Sequence, residues 1–397
     1  MLTVILAAIP ALTAPATASS APAPGASRPV LISSTPHPEP AWFNADARLL
    51  VHTMPTVTGG RTTATTLLFT PRGKAPRGGW PVVAWAHGTT TPGNKDCAPS
   101  LTPDDLDGGL TRDGFASDYA WELGHLVNAG YAVVAPDFEG LGPRATTPLP
   151  YYSADSLARS LITGVQAARQ AERTLSNSYV AVGHSDGGHA VLGVEAHAGE
   201  APELRFAGTA ALAPFTSIPK QVAAFERDAQ TSPDPVTAAN GRVNAQFNVA
   251  LMAVGLAARQ PFDPTTIMGP HLAEVLPRFA AQCSVGANAV IRQAVEAKPG
   301  SFAGYHPDWA ANEAMRNFLA ISDPGADPRF ALRKPTFIAQ GTNDAFVFEE
   351  VVTPFVATAR QNGSPIDYRI YPGADHFSLI KASGEDLLDF LARRLPR

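Results

Sequence analysis

The stretch YVAVGHSDGGHAVLG, Tyr179 to Gly193, decides the fold. Its first half is an apolar, β-branched run with the pattern of a buried strand, and its second half spaces apolar residues as a helix does. Between them stands Gly183-His184-Ser185-Asp186-Gly187, the pattern G-x-S-x-G. A serine between two close glycines at a strand-to-helix junction is held exposed on a sharp, strained turn. The glycines let the backbone bend and make room for the helix, whose first N–H groups are unpaired and face developing negative charge.

Working outward, TATTLLFTP reads as a strand, and WPVVAWAHGTT and GYAVVAPDFEGLG are apolar runs ending in Gly-rich turns, as strands buried on both faces do. SLARSLITGVQAARQAERTL keeps helical spacing through Leu157, Leu161, Ile162, Val165 and Ala168. After the elbow come the helix GGHAVLGVEAHAG, the strand RFAGTAALAPF and, much later, PTFIAQG, DYRIYPG and a closing helix GEDLLDFLARRL. This alternation predicts an α/β chain with a mostly parallel, doubly wound sheet, because parallel neighbours need helical crossovers. Over residues 217–305 the alternation stops, and VNAQFNVALMAVGLAARQPF and HLAEVLPRFAAQ read as helices. They form a helical cap inserted before the strand that leads to Asp344, dividing the core into residues 46–216 and 306–397. Ahead of the core, residues 19–45 are rich in Pro, Ala and Ser and read as an extended or disordered leader. Residues 1–18 carry a short apolar run and Ala16-Thr17-Ala18, the pattern of a signal peptide, although no Lys or Arg precedes Arg28; a short buried helix is the alternative.

A serine hydroxyl needs a base, and in this topology the order is Ser, then Asp or Glu, then His, the latter two at the carboxyl ends of late strands. Asp344 directly follows PTFIAQGTN and His376 follows DYRIYPGAD. His376 would take the Ser185 proton and Asp344 would hold the imidazole in its working tautomer. His184, His189 and His197 lie beside or along the elbow helix, where packing or solvent contact is the expected role. His271 and His306 belong to the cap or its edge. Asp375 adjoins His376 but is poorly placed to fold back onto its ring, and Glu349 and Glu350 read as helix-start charges. For the oxyanion, one N–H should come from Asp186, after the serine, and the other from the His87-Gly88-Thr89 turn, where Thr89 would offer it. An Asp in that place is unusual, since a carboxylate repels an oxyanion; its side chain must turn away or meet a cation.

The chain has 397 residues, 45% of them hydrophobic, with a formal net charge of −5 and only 16% charged residues. No basic stripe for nucleic acid and no polybasic membrane segment stands out, so small soluble partners are expected, without stable membrane insertion. Cys97 and Cys283 are the only cysteines, which in an exported protein permits one disulfide; two separate buried thiols is the alternative.

The segments AWAHGTTTPGNKDCAPS, APDFEGLG, GHSDGGHA, QGTNDAFV and YPGADHF, in this order and with a long insertion before the acid, resemble the secretory lipase family of α/β-hydrolases, the fungal lipase A type. The resemblance runs from about residue 40 onward. It implies the α/β-hydrolase fold with a helical lid, a hydrophobic acyl tunnel, Ser185, Asp344 and His376 as triad, and a disulfide from Cys97 to Cys283 in the cap. Two departures stand out: the fungal type has an acidic residue where this chain has His87-Gly88-Thr89, and a second cysteine pair is missing. The expected protein is a secreted serine hydrolase of carboxylic esters, a lipase or esterase acting on acylglycerols or other acyl esters, needing no metal or organic cofactor and meeting its substrate in solution or at a lipid-water interface. Residues 243, 247, 250, 251, 254 and 258 would line an acyl site with one apolar helix face, or else pack on the core. A peptidase of the same fold and a non-catalytic binder are the alternatives.

Overall fold

A computed structural model describes residues 28–38, 42–101 and 115–395. The proposed signal peptide and the leader up to residue 27 lie outside these residues. The described residues build nine strands: β1 (Leu31–Pro36), β2 (Ala45–Pro55), β3 (Arg61–Pro71), β4 (Trp80–Ala86), β5 (Ala132–Pro136), β6 (Leu175–His184), β7 (Arg205–Leu212), β8 (Thr336–Gly341) and β9 (Ile366–Tyr371). They form one sheet in the order β1-β2-β3-β5-β4-β6-β7-β8-β9. From β5 to β9 all neighbours are parallel, while β1, β2 and β3 join antiparallel at one side. Every residue of β5 and β8, and all of β4 but Trp80, is buried, which is why these strands read as unbroken apolar runs.

The helices are α1 (Phe115–Asn128), α2 (Ala154–Ala171), α3 (Asp186–Leu192), α4 (Val194–His197), α5 (Ile218–Thr231), α6 (Pro235–Arg259), α7 (Pro270–Ala280), α8 (Ser284–Glu296), α9 (Glu313–Ser322), α10 (Glu349–Gln361), α11 (Ser378–Ala382) and α12 (Gly384–Arg394). One face of the sheet carries α1 with α11 and α12; α2, α3 and α4 pack together on the other. Leu157, Leu161 and Val165 of α2 are buried as their spacing requires. That helix stops at Ala171, four residues earlier than the pattern suggests, because Leu175 is drawn into β6 opposite Trp80.

Two boundaries differ from the sequence reading. The leader does not extend to residue 45: Leu31–Pro36 is an edge strand on β2, its turn-like composition overridden by backbone pairing and by the Gln170 side chain, which accepts from Leu31 N and donates to Pro29 O. An edge strand satisfies its ladder on one side only, so it needs no apolar run. The inserted helices also continue past Tyr305, since α9 intervenes before β8 begins at Thr336.

The cap is fastened at several points. Cys97 and Cys283 form a disulfide with a Cα–Cα distance of 5.5 Å, joining the loop after β4 to the start of α8. Beside it Ser284 N donates to Thr90 O, Thr91 Oγ1 to Gln282 O and Asn94 Nδ2 to Ala281 O. At the far end of α6, Arg259 grips Asp155 of α2 with two hydrogen bonds of 2.7 and 3.1 Å. Among the described residues no helix is long and apolar enough to cross a membrane.

Candidate active site

Ser185 sits between β6 and α3 with φ 61° and ψ −119°, one of four non-glycine residues at positive φ among the described residues. Such a conformation costs about 1–3 kcal/mol and persists only where the surroundings impose it. Here the elbow glycines do so: a Cβ on Gly183 would collide with the carbonyl of Gly187, and one on Gly187 with the carbonyl of Ala86 at the end of β4. Gly188 is held equally close to Leu212 O, 2.9 Å from where its Cβ would stand. Any side chain at these places would push α3 away from the sheet.

The next two strands deliver the partners. Asp344 follows β8, and its Oδ1 accepts from the backbone N of Phe346 and Val347, both at 2.8 Å. Its Oδ2 lies 2.7 Å from Nδ1 of His376, which follows β9. Both residues are buried, and His376 and Ser185 line the same cavity. Between the serine and the ring no hydrogen bond is made, as is common before substrate tightens such a site. The other candidates are engaged elsewhere. Asp375 accepts from Phe377 N, Ser378 N and the Ser378 hydroxyl, and these bonds hold its carboxyl below the ordinary range. Glu350 meets Arg227, Glu349 accepts from Thr353, His197 pairs with Glu200, and the Nδ1 of His189 meets Phe215 O. Of the cap-edge histidines, His271 accepts from Ala303 N.

Asp186, first residue of α3, and Thr89, in the loop after β4, offer backbone N–H groups that no other described residue takes up. The Asp186 side chain turns away from the cavity. It is buried in a narrow space with His87, Thr90, Leu141 and Tyr151, and its Oδ1 has no partner among the described residues. Burial pushes its carboxyl up to about 7, against a smaller lowering by the Tyr151 hydroxyl. Tyr151 in turn hydrogen-bonds the Thr89 side chain. The neighbouring histidine, His87, supplies no cation: burial drives it down to about 4, opposed by its bond to Gly88 O. Turning away is therefore the resolution of the unusual acid, and no cation is enlisted.

The cavity above Ser185 measures about 380 Å³. Its core side is aromatic, with Tyr119, Tyr152 and Phe215; its cap side presents Phe225 of α5, Asn240, Asn244, Phe247 and Asn248 of α6 and Val285, Asn288 and Arg292 of α8. The face of α6 expected to line an acyl site is thus not the one that does. Of that set only Phe247 reaches the cavity, while Val243, Ala250 and Leu251 are spent on packing. Asn240 and Arg292 bond each other at 2.8 Å across the two helices. Tyr119, which lines the cavity, is a residue that sequence reasoning missed, since its partners His184 and Gly88 come from distant segments.

A model of the alpha/beta hydrolase family matches residues 87–389. Among solved structures, the chain is similar to the rice cell wall degrading esterase LipA from Xanthomonas oryzae, at 20% identity over 94% of this chain and 99% of that one, with a TM-score of 0.64. It is likewise similar to lipase A from Candida antarctica, at 18% identity over 87% and 77% and a TM-score of 0.63. For a hydrolase described as putative from Legionella pneumophila the figures are 17%, 93% and 98%, and 0.67. At these identities the likeness speaks for the fold. No curated protein matches the chain.

Proposed function

The chain belongs to the alpha/beta hydrolase family, and from that premise we propose that it is a secreted serine hydrolase cleaving carboxylic esters through an acyl-enzyme. The observation that carries the reading is the Asp344–His376 hydrogen bond set on the same cavity as a strained, elbow-mounted Ser185. Ser185 Oγ attacks the ester carbonyl as His376 Nε2 takes its proton, and Asp344 stabilises the imidazolium so formed. The N–H groups of Asp186 and Thr89 receive the oxyanion. Collapse expels the alcohol, protonated by His376, and water then repeats the sequence on the acyl-enzyme to release the acid.

Substrate choice follows from the cavity wall. A long acyl chain seeks a continuous apolar surface, and here the cap side interrupts Phe225, Phe247 and Val285 with the carboxamides of Asn240, Asn244, Asn248 and Asn288 and the guanidinium of Arg292. Short or polar-substituted esters fit that wall, so esterase is favoured over long-chain lipase. A peptidase would need an anchor for a peptide amino terminus, and none of the described residues lining the cavity is a carboxylate. The disulfide supports export, because such bonds persist in oxidising compartments, in keeping with the signal-peptide pattern over residues 1–18.

Fluorophosphonate labelling with p-nitrophenyl ester turnover tests the reading. Wild type should be labelled, and Ser185→Ala should lose both labelling and several orders of magnitude of turnover while melting normally. An active Ser185→Ala protein would end the proposal, and hydrolysis of C16 esters faster than of C2–C4 esters would end its substrate part.

A further inference from the structure

His184, the residue before the serine, is fully buried, and both of its ring nitrogens are engaged. Nε2 lies 2.8 Å from the backbone carbonyl of His376 and Nδ1 lies 2.9 Å from the Tyr119 hydroxyl. A carbonyl can only accept, so Nε2 carries the ring proton; in a neutral imidazole Nδ1 then accepts, and Tyr119 must donate to it. The Tyr119 oxygen is left to accept from Gly88 N, at 3.2 Å. Every proton in this chain of bonds thus has one direction, from Gly88 N–H to Tyr119, from Tyr119 O–H to His184, and from His184 Nε2–H to the carbonyl of His376.

These two side chains join three segments that meet only in the fold: the loop leading into Thr89, the elbow, and the turn bearing His376. The loop is built against the hydroxyl so closely that a Cβ on Gly88 would collide with it. We propose that His184 and Tyr119 are positioning residues, which fix the His376 imidazole and the Thr89 loop relative to Ser185. The inference rests on the triad reading given above. Neutrality of His184 matters to it, because the two histidine rings lie only 4.4 Å apart and His376 must become positive during turnover. Burial, reinforced by His376 itself, keeps the His184 pKa well below its ordinary value. Any buried imidazole needs its nitrogens satisfied; what marks this one is that its bonds end on the backbone of His376 and, through Tyr119, on the backbone of Gly88, the two segments that complete the site.

The test is steady-state kinetics on p-nitrophenyl butyrate, with melting curves, for Ser185→Ala, Tyr119→Phe, His184→Leu, His184→Gln and the Tyr119→Phe/His184→Leu double variant. Tyr119→Phe keeps the ring and its packing and removes one hydroxyl, so it carries the test even if His184→Leu folds poorly. The expected result is a kcat lowered about 10- to 100-fold in Tyr119→Phe and His184→Leu with KM within about twofold, the mark of lost geometry rather than lost binding. His184→Gln, whose amide can donate to the His376 carbonyl, should regain most of the kcat. The double variant should be no slower than its slower parent, because both act through one chain of bonds. Wild-type kcat in Tyr119→Phe, a Gln variant as slow as the Leu variant, or multiplying losses would overturn the inference. Those outcomes with an inert Ser185→Ala leave the triad standing, whereas an active Ser185→Ala removes the triad and the inference with it.

Discussion

Replacing Asp186 by Asn should change how activity depends on pH in a direction the fold dictates. The carboxyl of Asp186 belongs to the residue whose N–H is proposed to meet the oxyanion, and burial raises it to about 7, with Tyr151 opposing. Below that pH the side chain is a neutral acid; above it, a negative charge stands behind the site where negative charge must develop. At an effective dielectric of about 20, like charges roughly 6–8 Å apart repel by about 2–3 kcal/mol. That amounts to roughly a 30- to 100-fold slower acylation for the ionised form. Activity therefore falls as Asp186 ionises, an alkaline limb that belongs to one side chain. Asp186→Asn, nearly isosteric and never charged, should abolish that limb and keep kcat on a plateau to pH 9, as measured on p-nitrophenyl butyrate from pH 5 to 9.

The same residue gives a second reading free of catalysis. A carboxyl raised from 3.8 to about 7 in the folded state binds its proton more tightly folded than unfolded. Its contribution to stability is therefore full below about pH 4, declines as pH rises from about 4 to 7, and is flat beyond, with a total on the order of 4 kcal/mol. Glu122, pushed to about 7, and Asp137, pushed to about 6, both by burial, have the same sign, so only the difference between wild type and Asp186→Asn isolates Asp186. The variant should gain on wild type across that window in denaturant titrations. Equal alkaline limbs in the two proteins, or a stability difference that does not grow between pH 4 and 7, would refute the reasoning.

Three further outcomes are expected. Cys97→Ala/Cys283→Ala removes a bond closing 186 residues of chain and should lower stability by up to about 5 kcal/mol on loop entropy, read as a fall in the denaturant midpoint. Gly187→Ala drives a methyl into the carbonyl of Ala86 and should cost more than about 3 kcal/mol or prevent folding, seen as loss of soluble protein, whereas an alanine at Gly199, with open space around its Cβ, should be tolerated. Asn244→Leu and Asn248→Leu make the cap wall apolar and should move the chain-length optimum toward longer acyl groups, each by about tenfold in the C8-to-C2 ratio of kcat/KM.

How far these features were legible in the sequence depends on the range of the physics behind them. Ser185, Asp344 and His376 could be proposed together because each lies at a strand end, where a few neighbouring residues dictate the turn: Gly183 and Gly187 must be glycine for reasons confined to β4, β6 and α3. The strand β1 escaped because an edge strand is specified by its partner's backbone and leaves no mark in composition. The cavity-lining face of α6 escaped for a different reason. Val243, Val249, Leu251, Met252 and Ala253 are buried around the whole circumference of this helix, so its apolar pattern has no single direction. Which stripe turns to the cavity is then settled by where α5 and α8 pack, and the stripe that does is mixed, Asn240, Asn244, Phe247 and Asn248. His184 is hidden in the same way, since one nitrogen answers to a carbonyl 192 positions later and the other to a hydroxyl 65 positions earlier. Short-range geometry announces where the reacting groups stand, and long-range packing decides what surrounds them, so in this fold the chemistry is readable before the substrate is.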